Sequence, residues 1–224
     1  MLLTMEAVGA VQVKIPAGDV GVLEGILAVP AHARGVVIFA HGSGSSRLSP
    51  RNRFVAGALG AEGLATLLFD LLKDDEAADR ANVFDIPLLA ARVEAAIDWA
   101  GGRPDIAALP LGLFGASTGA AAALVAAAHR PAEVQAVVSR GGRPDLAGTA
   151  LGAVRAATLL LVGGEDRGVI ELNEAAYAEL RCTARIRLIP GATHLFEEPG
   201  TLEEVVRHAA AWFRANLGPP GAAR

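Results

Sequence analysis

A single cysteine, Cys182, leaves the chain with no internal disulfide to close, and such sparing use of thiols fits a reducing compartment, the cytoplasm. It reads as a buried, inert thiol. Aromatic residues make up only 4% of the 224 residues, too few for a platform on which bases or sugars would stack. Positive charge is also scarce. Lys and Arg number 20 against 24 Asp and Glu, a formal net charge of -4, so no basic field exists to hold a phosphate backbone and nucleic acid is not an expected partner. Long apolar runs are missing too. Although 52% of residues are hydrophobic, charges, prolines or glycines interrupt every apolar stretch well before the roughly 20 residues that cross a bilayer, so no membrane contact is expected. Residues 1–15 carry no positive charge ahead of their apolar residues and make a poor secretory signal.

What is present is the pattern of one α/β domain, expected over 1–217, with a flexible tail at 218–224. Residues 11–15 and 23–29 alternate apolar and polar about Pro16 and Gly18, which predicts an antiparallel hairpin. Continuous apolar runs of strand length then recur at 35–40, 64–69, 111–114, 134–138, 158–162 and 186–189, as in parallel strands buried on both faces. Between them the period becomes helical. Leu202, Val205, Val206, Ala209, Trp212, Phe213 and Leu217 form one stripe, and Leu89, Val93, Ala96, Ile97 and Ala100 another. Ser49 and Pro50 supply a cap and a first-turn proline for a further helix, and the run 120–128 is apolar all round, so its helix belongs in the interior. Alternation of strand and helix implies a mostly parallel sheet with helices on both faces. The charged stretch 73–80 reads as a solvated loop.

Gly115-Ala116-Ser117-Thr118-Gly119 stands between a strand-like and a helix-like run. A serine there sits on a tight turn that only small neighbours permit, with its hydroxyl raised above the sheet edge and a helix N-terminus beneath it. A hydroxyl is a poor nucleophile until a base takes its proton. Of five histidines, His194 follows the last strand on a loop at the carboxyl edge of the sheet, and is the expected base. His208 falls off the apolar stripe of the last helix, His129 lies near a helix C-terminus and His32 in a surface turn. The base needs a carboxylate to hold its tautomer. Asp166 follows the run 158–162 and completes the order serine, acid, histidine; Glu165 beside it and Asp145 after the preceding strand are the alternatives. His41-Gly42-Ser43-Gly44 directly follows the run 35–40, so the backbone N–H groups of Ser43 and Thr118 are the expected oxyanion donors, with His41 bracing the turn. Arg140 and Arg143 follow the run 134–138 and could hold a substrate carboxylate, or pin their own loop through Asp145.

These residues resemble the dienelactone-hydrolase-like branch of the α/β-hydrolase superfamily. The likeness runs from about Val13 to Leu217 through His41-Gly42-Ser43-Gly44-Ser45-Ser46, Ser49-Pro50-Arg51-Asn52, the motif around Ser117, Ser139-Arg140-Gly141-Gly142-Arg143-Pro144-Asp145 and Gly191-Ala192-Thr193-His194. It implies the α/β-hydrolase fold, a Ser117, Asp166, His194 triad, hydrolase activity on a small-molecule ester, and no cofactor or metal. Serine stands where dienelactone hydrolases carry a nucleophilic cysteine, which favours ordinary carboxylic esters over dienelactones. Thioesters and lactones are the alternative substrates. Similar family members also occur fused to phosphoribosyltransferase domains, for which these 224 residues leave no room. The short connection after the run 134–138 leaves no substantial cap, so an open site and short acyl groups are expected.

Overall fold

The structure is a computed structural model that describes residues 9–18 and 21–218. Strand β1 (Val11–Pro16) turns Val13 and Ile15 inward and its alternate residues outward, and pairs antiparallel with β2 (Val22–Ala28). From there the chain builds β3 (Val36–Ala40), α1 (Pro50–Ala61), β4 (Ala65–Phe69), α2 (Asp74–Ala77), α3 (Arg80–Val83), α4 (Ile86–Gly101), β5 (Leu111–Ala116) and α5 (Thr118–His129). It continues with β6 (Val134–Arg140), a 3-10 segment (Pro144–Ala153), β7 (Ala157–Gly163), α6 (Arg167–Glu179), β8 (Ala184–Ile189) and α7 (Thr201–Asn216). The eight strands form one sheet in the order β1-β2-β4-β3-β5-β6-β7-β8. The β1–β2 and β2–β4 pairs are antiparallel and all others parallel.

Alternation along the buried strands sorts the core into two layers. Val37, Phe39 and Val138 face α1 and α7, where Val55, Leu59, Val205 and Phe213 meet them. Val36, Ile38 and Val137 face α4 and α5, through Leu89, Val93, Ala123 and Leu124. Small side chains make α5 the interior helix: nine of its residues are buried, most of them alanine, which brings its axis close to the sheet. Among the described residues, no helix is long and apolar enough to cross a membrane.

Three local expectations are corrected. Strand β8 is an edge strand with Leu188 exposed, not a run buried on both faces, because only β7 pairs with it. The charged stretch 73–80 is not a plain solvated loop: it forms α2 and enters α3, held down by Glu76, which pairs with the buried Arg92 of α4 at 2.9 Å. His208, whose place off the apolar stripe of the last helix predicts a solvent-exposed side chain, is half-buried beside Glu204. Of the tail read at 218–224, residues 219–224 lie outside the described residues, and the Gly218 N–H donates to Gln135 Oε1.

Candidate active site

Strand β3 has β4 on one side and β5 on the other, so the connections leaving β3 and β5 diverge and open a crevice at their carboxyl ends. Ser117 stands there between β5 and α5, with φ 50° and ψ -124°, a left-handed conformation that costs a non-glycine residue about 1–3 kcal/mol. Its neighbours explain how the turn closes. A Cβ on Gly115 would lie 2.4 Å from Ala120 Cα, and one on Gly119 would lie 2.3 Å from the Ala40 carbonyl oxygen. The turn that carries Ser117 is thereby pressed against both its own helix and the end of β3.

The turn after β3 is fixed from the other side. His41 Nε2 accepts the Leu71 N–H at 3.0 Å, so its Nδ1 carries the proton and donates to the Gly42 carbonyl at 2.9 Å. Burial pushes the His41 pKa below its ordinary value, in keeping with this neutral tautomer. Arg47 joins Asp70 through its backbone N–H, at 2.7 Å, and through its guanidinium. Ser43 follows in a turn closed by the Ser45 N–H on the Gly42 carbonyl, and Gly44, with φ 66°, sits at the position that requires a left-handed residue. The Ser43 N–H has no acceptor among the described residues. Thr118 opens α5, where a first-turn amide has no partner within the helix.

His194 reaches the same edge after β8. Its Nδ1 lies 2.7 Å from Asp166 Oδ2, which leaves Nε2 as the ring nitrogen free to act. Asp166 is the N-cap residue of α6. Of the other acids, Asp145 is engaged by Arg143 in a two-pronged pair at 2.9 and 2.7 Å. The histidine loop is stiffened by Glu198, which accepts from Thr193 Oγ1 at 2.6 Å and from its N–H at 3.1 Å. Ser117 and His194 line one cavity of about 170 Å³. No hydrogen bond joins them among the described residues; contacts of this kind commonly tighten only with substrate in place. A second and larger space, about 790 Å³, begins at Ser43 and Thr118 and runs under α2 and α3 along Leu71, Leu72, Val83, Phe84 and Leu89. The connection from β6 to β7 carries no cap, and residues of the α2–α3 stretch form part of the wall of this cleft.

Arg143 and Arg140 part company. Arg143 pins its own turn through Asp145, while Arg140 is buried at the cavity wall, donates to Asn52 Oδ1 at 3.1 Å and stacks over the Phe196 ring at 5.7 Å. Burial, reinforced by the nearby charge of Arg51, pushes the Arg140 pKa down to about 10. Asn52, which the sequence offers only within the Ser49-Pro50-Arg51-Asn52 motif and with no role of its own, thus joins the site. Its signal is a polar residue on the inward stripe 52, 55, 56, 59 of α1. Among the described residues, no group of three or more His, Cys, Asp or Glu is placed to hold a metal ion.

Comparison with known proteins agrees on the fold. Residues 23–216 match the model of the dienelactone hydrolase family. A crystal structure of a dienelactone hydrolase from Anabaena variabilis is 53% identical, with TM-score 0.91, covering 94% of this chain and 99% of that one. The esterase Est1E from Butyrivibrio proteoclasticus (17% identical, TM-score 0.77, 91% and 98% covered) shares the fold. A Mycobacterium tuberculosis protein provisionally named a phosphoribosyl transferase is 58% identical over 210 residues, 94% of this chain and 47% of its own length. The chain thus spans about half the length of the curated relatives it matches.

Proposed function

The chain belongs to the dienelactone hydrolase family and is a hydrolase of the α/β type, and on that premise we propose that it cleaves carboxylic esters with Ser117 as nucleophile, His194 as base and Asp166 as the group that orients His194. The observation that carries this reading is the strained Ser117 sharing a cavity with a histidine whose far nitrogen is held 2.7 Å from a carboxylate.

In the acylation step His194 Nε2 takes the Ser117 proton as Oγ attacks the carbonyl carbon. The carbonyl oxygen gathers negative charge against the Ser43 and Thr118 amides. The ester C–O bond then breaks, the alkoxide leaves with the proton from His194, and the acyl group remains on Oγ. Water, deprotonated by the same nitrogen, attacks the acyl carbon and releases the acid and free Ser117.

The two spaces divide the substrate. His194 lines only the smaller cavity and must protonate the departing oxygen, so the alcohol part belongs there and the acyl part in the larger cleft beyond Ser43, against its apolar side of Leu71, Leu72, Val83, Phe84 and Leu89. A cleft of about 790 Å³ bounded by α2 and α3 suits acyl groups from acetyl to medium chains rather than long lipids. The transferase name of the Mycobacterium relatives describes proteins of which the matched stretch is 47%, and the family this chain matches is one of hydrolases. Assay of p-nitrophenyl esters of increasing acyl length, beside a thioester and a lactone, tests the proposal. Ester turnover that falls to background in Ser117→Ala agrees with it, and turnover unchanged in that variant refutes it.

A further inference from the structure

Arg140 holds a buried guanidinium with no carboxylate partner among the described residues. Its single hydrogen bond goes to neutral Asn52, and its Nε is buried without any partner. Phe196 covers the flat face of the group and accounts for its stacking, but not for the donors on its edge. A buried cation without a counter-charge is costly, and proteins keep one where something else supplies the negative charge.

The wall around it has the same character. Arg51 contributes a second guanidinium, whose Nε is also buried and unpartnered while its Nη1 reaches the exposed Glu197 at 2.9 Å. Ser49 Oγ accepts the Asn52 N–H at 3.4 Å and keeps its own proton to donate, and Ser45 adds a further hydroxyl to the lining. Helix α1, 12 residues long, starts at Pro50, so the Arg51 amide and the positive end of the helix are directed to this place. None of the residues lining the cavity is an acid.

From this we propose that the small cavity beside Ser117 is a phosphate subsite, and that the physiological ester carries a phosphate group on its alcohol part. The inference rests on the reading of Ser117 and His194 above, which puts the leaving group on this side. Two cations and hydroxyls converging from β6, α1 and the turn after β3 suit a tetrahedral dianion better than a planar carboxylate, which a single guanidinium fork would satisfy.

Two measurements test it. In the first, 2-phosphoethyl butyrate, 2-carboxyethyl butyrate and ethyl butyrate are compared by kcat/KM. The phosphate ester is expected to exceed the neutral ester by about tenfold or more, and the preference to collapse toward one in Arg140→Gln and in Arg51→Gln. Arg51 is partly exposed, so its variant keeps the test alive if Arg140→Gln fails to fold. In the second, inorganic phosphate is titrated into Ser117→Ala protein by calorimetry, where binding is expected and its loss in the double variant Ser117→Ala, Arg51→Gln. This second arm needs no turnover, so it stands apart from any failure of the esterase reading. No phosphate binding, or a carboxylate ester preferred over the phosphate ester, overturns the proposal.

Discussion

The backbone carbonyl of Ser117 accepts the N–H of Arg143 at 3.0 Å, so the strained residue that begins α5 is bolted to the turn that follows β6. Arg143 in turn is held by Asp145, and the Gly142 carbonyl accepts from Asn173 of α6. Three consecutive crossovers therefore converge on Ser117, and its conformation is imposed by its surroundings.

Strain at this position makes a prediction about stability. Glycine adopts φ 50° without penalty, whereas alanine keeps the same clash as serine. Ser117→Gly is expected to be more stable than Ser117→Ala by about 1 kcal/mol in urea unfolding, with both inactive. Equal stabilities would mean the turn relaxes once the hydroxyl is gone.

In the proposed triad Asp166 acts through His194, to which it is hydrogen-bonded at 2.7 Å. Asp166→Asn is expected to lower kcat by about 10³–10⁴-fold by favouring the wrong tautomer, with KM for p-nitrophenyl butyrate moving far less and the melting temperature nearly unchanged. Asp145→Asn, at the acid engaged by Arg143, is expected to cost much less in kcat. Similar losses in both variants would contradict the assignment.

Much of this arrangement is legible from residue patterns, and the exceptions have physical causes. Continuous apolar runs reveal β3 to β7 because strands buried on both faces cannot alternate, and the same rule misreads β8, whose exposure depends on having no ninth strand beside it. The motif around Ser117 is visible because close backbone contacts at Gly115 and Gly119 admit no side chain. The partners of Arg140 were hidden, since Asn52 lies 88 residues earlier and meets it only through the packing of α1 on the sheet. The cleft under α2 was hidden for a similar reason: a run of charges looks solvated until the buried Arg92 answers Glu76.

The glycines can be tested against one another. Gly119→Ala would force a Cβ within 2.3–2.4 Å of the Ala40 and His41 carbonyl oxygens, backbone atoms that cannot step aside. It is expected to destabilise the fold by about 4 kcal/mol or more. Gly60→Ala, in helix α1 with nothing within 4 Å of the added atom, is expected to stabilise by about 0.5–1 kcal/mol. Denaturant midpoints of the two proteins check both signs.

His41 predicts an acid response. Burial holds its folded pKa below 6.5, so as pH falls below 6.5 the unfolded chain takes up a proton that the folded one refuses. Its contribution is fully present above that pH and is lost downward toward the folded value, at up to about 1.4 kcal/mol per pH unit. Unfolding at pH 7.5 and pH 5.5 is expected to show a smaller difference for His41→Asn than for the unaltered protein. An identical difference would mean that His41 does not titrate in this window.

The central claim, that Ser117 is a nucleophile activated by His194, is tested most directly by labelling. A fluorophosphonate offered to the folded protein is expected to modify Ser117 alone, located by mass spectrometry of the peptide carrying it, and to do so at a rate that falls at least about a hundredfold in His194→Ala. Absence of label on Ser117, or labelling equally fast without His194, would contradict the account.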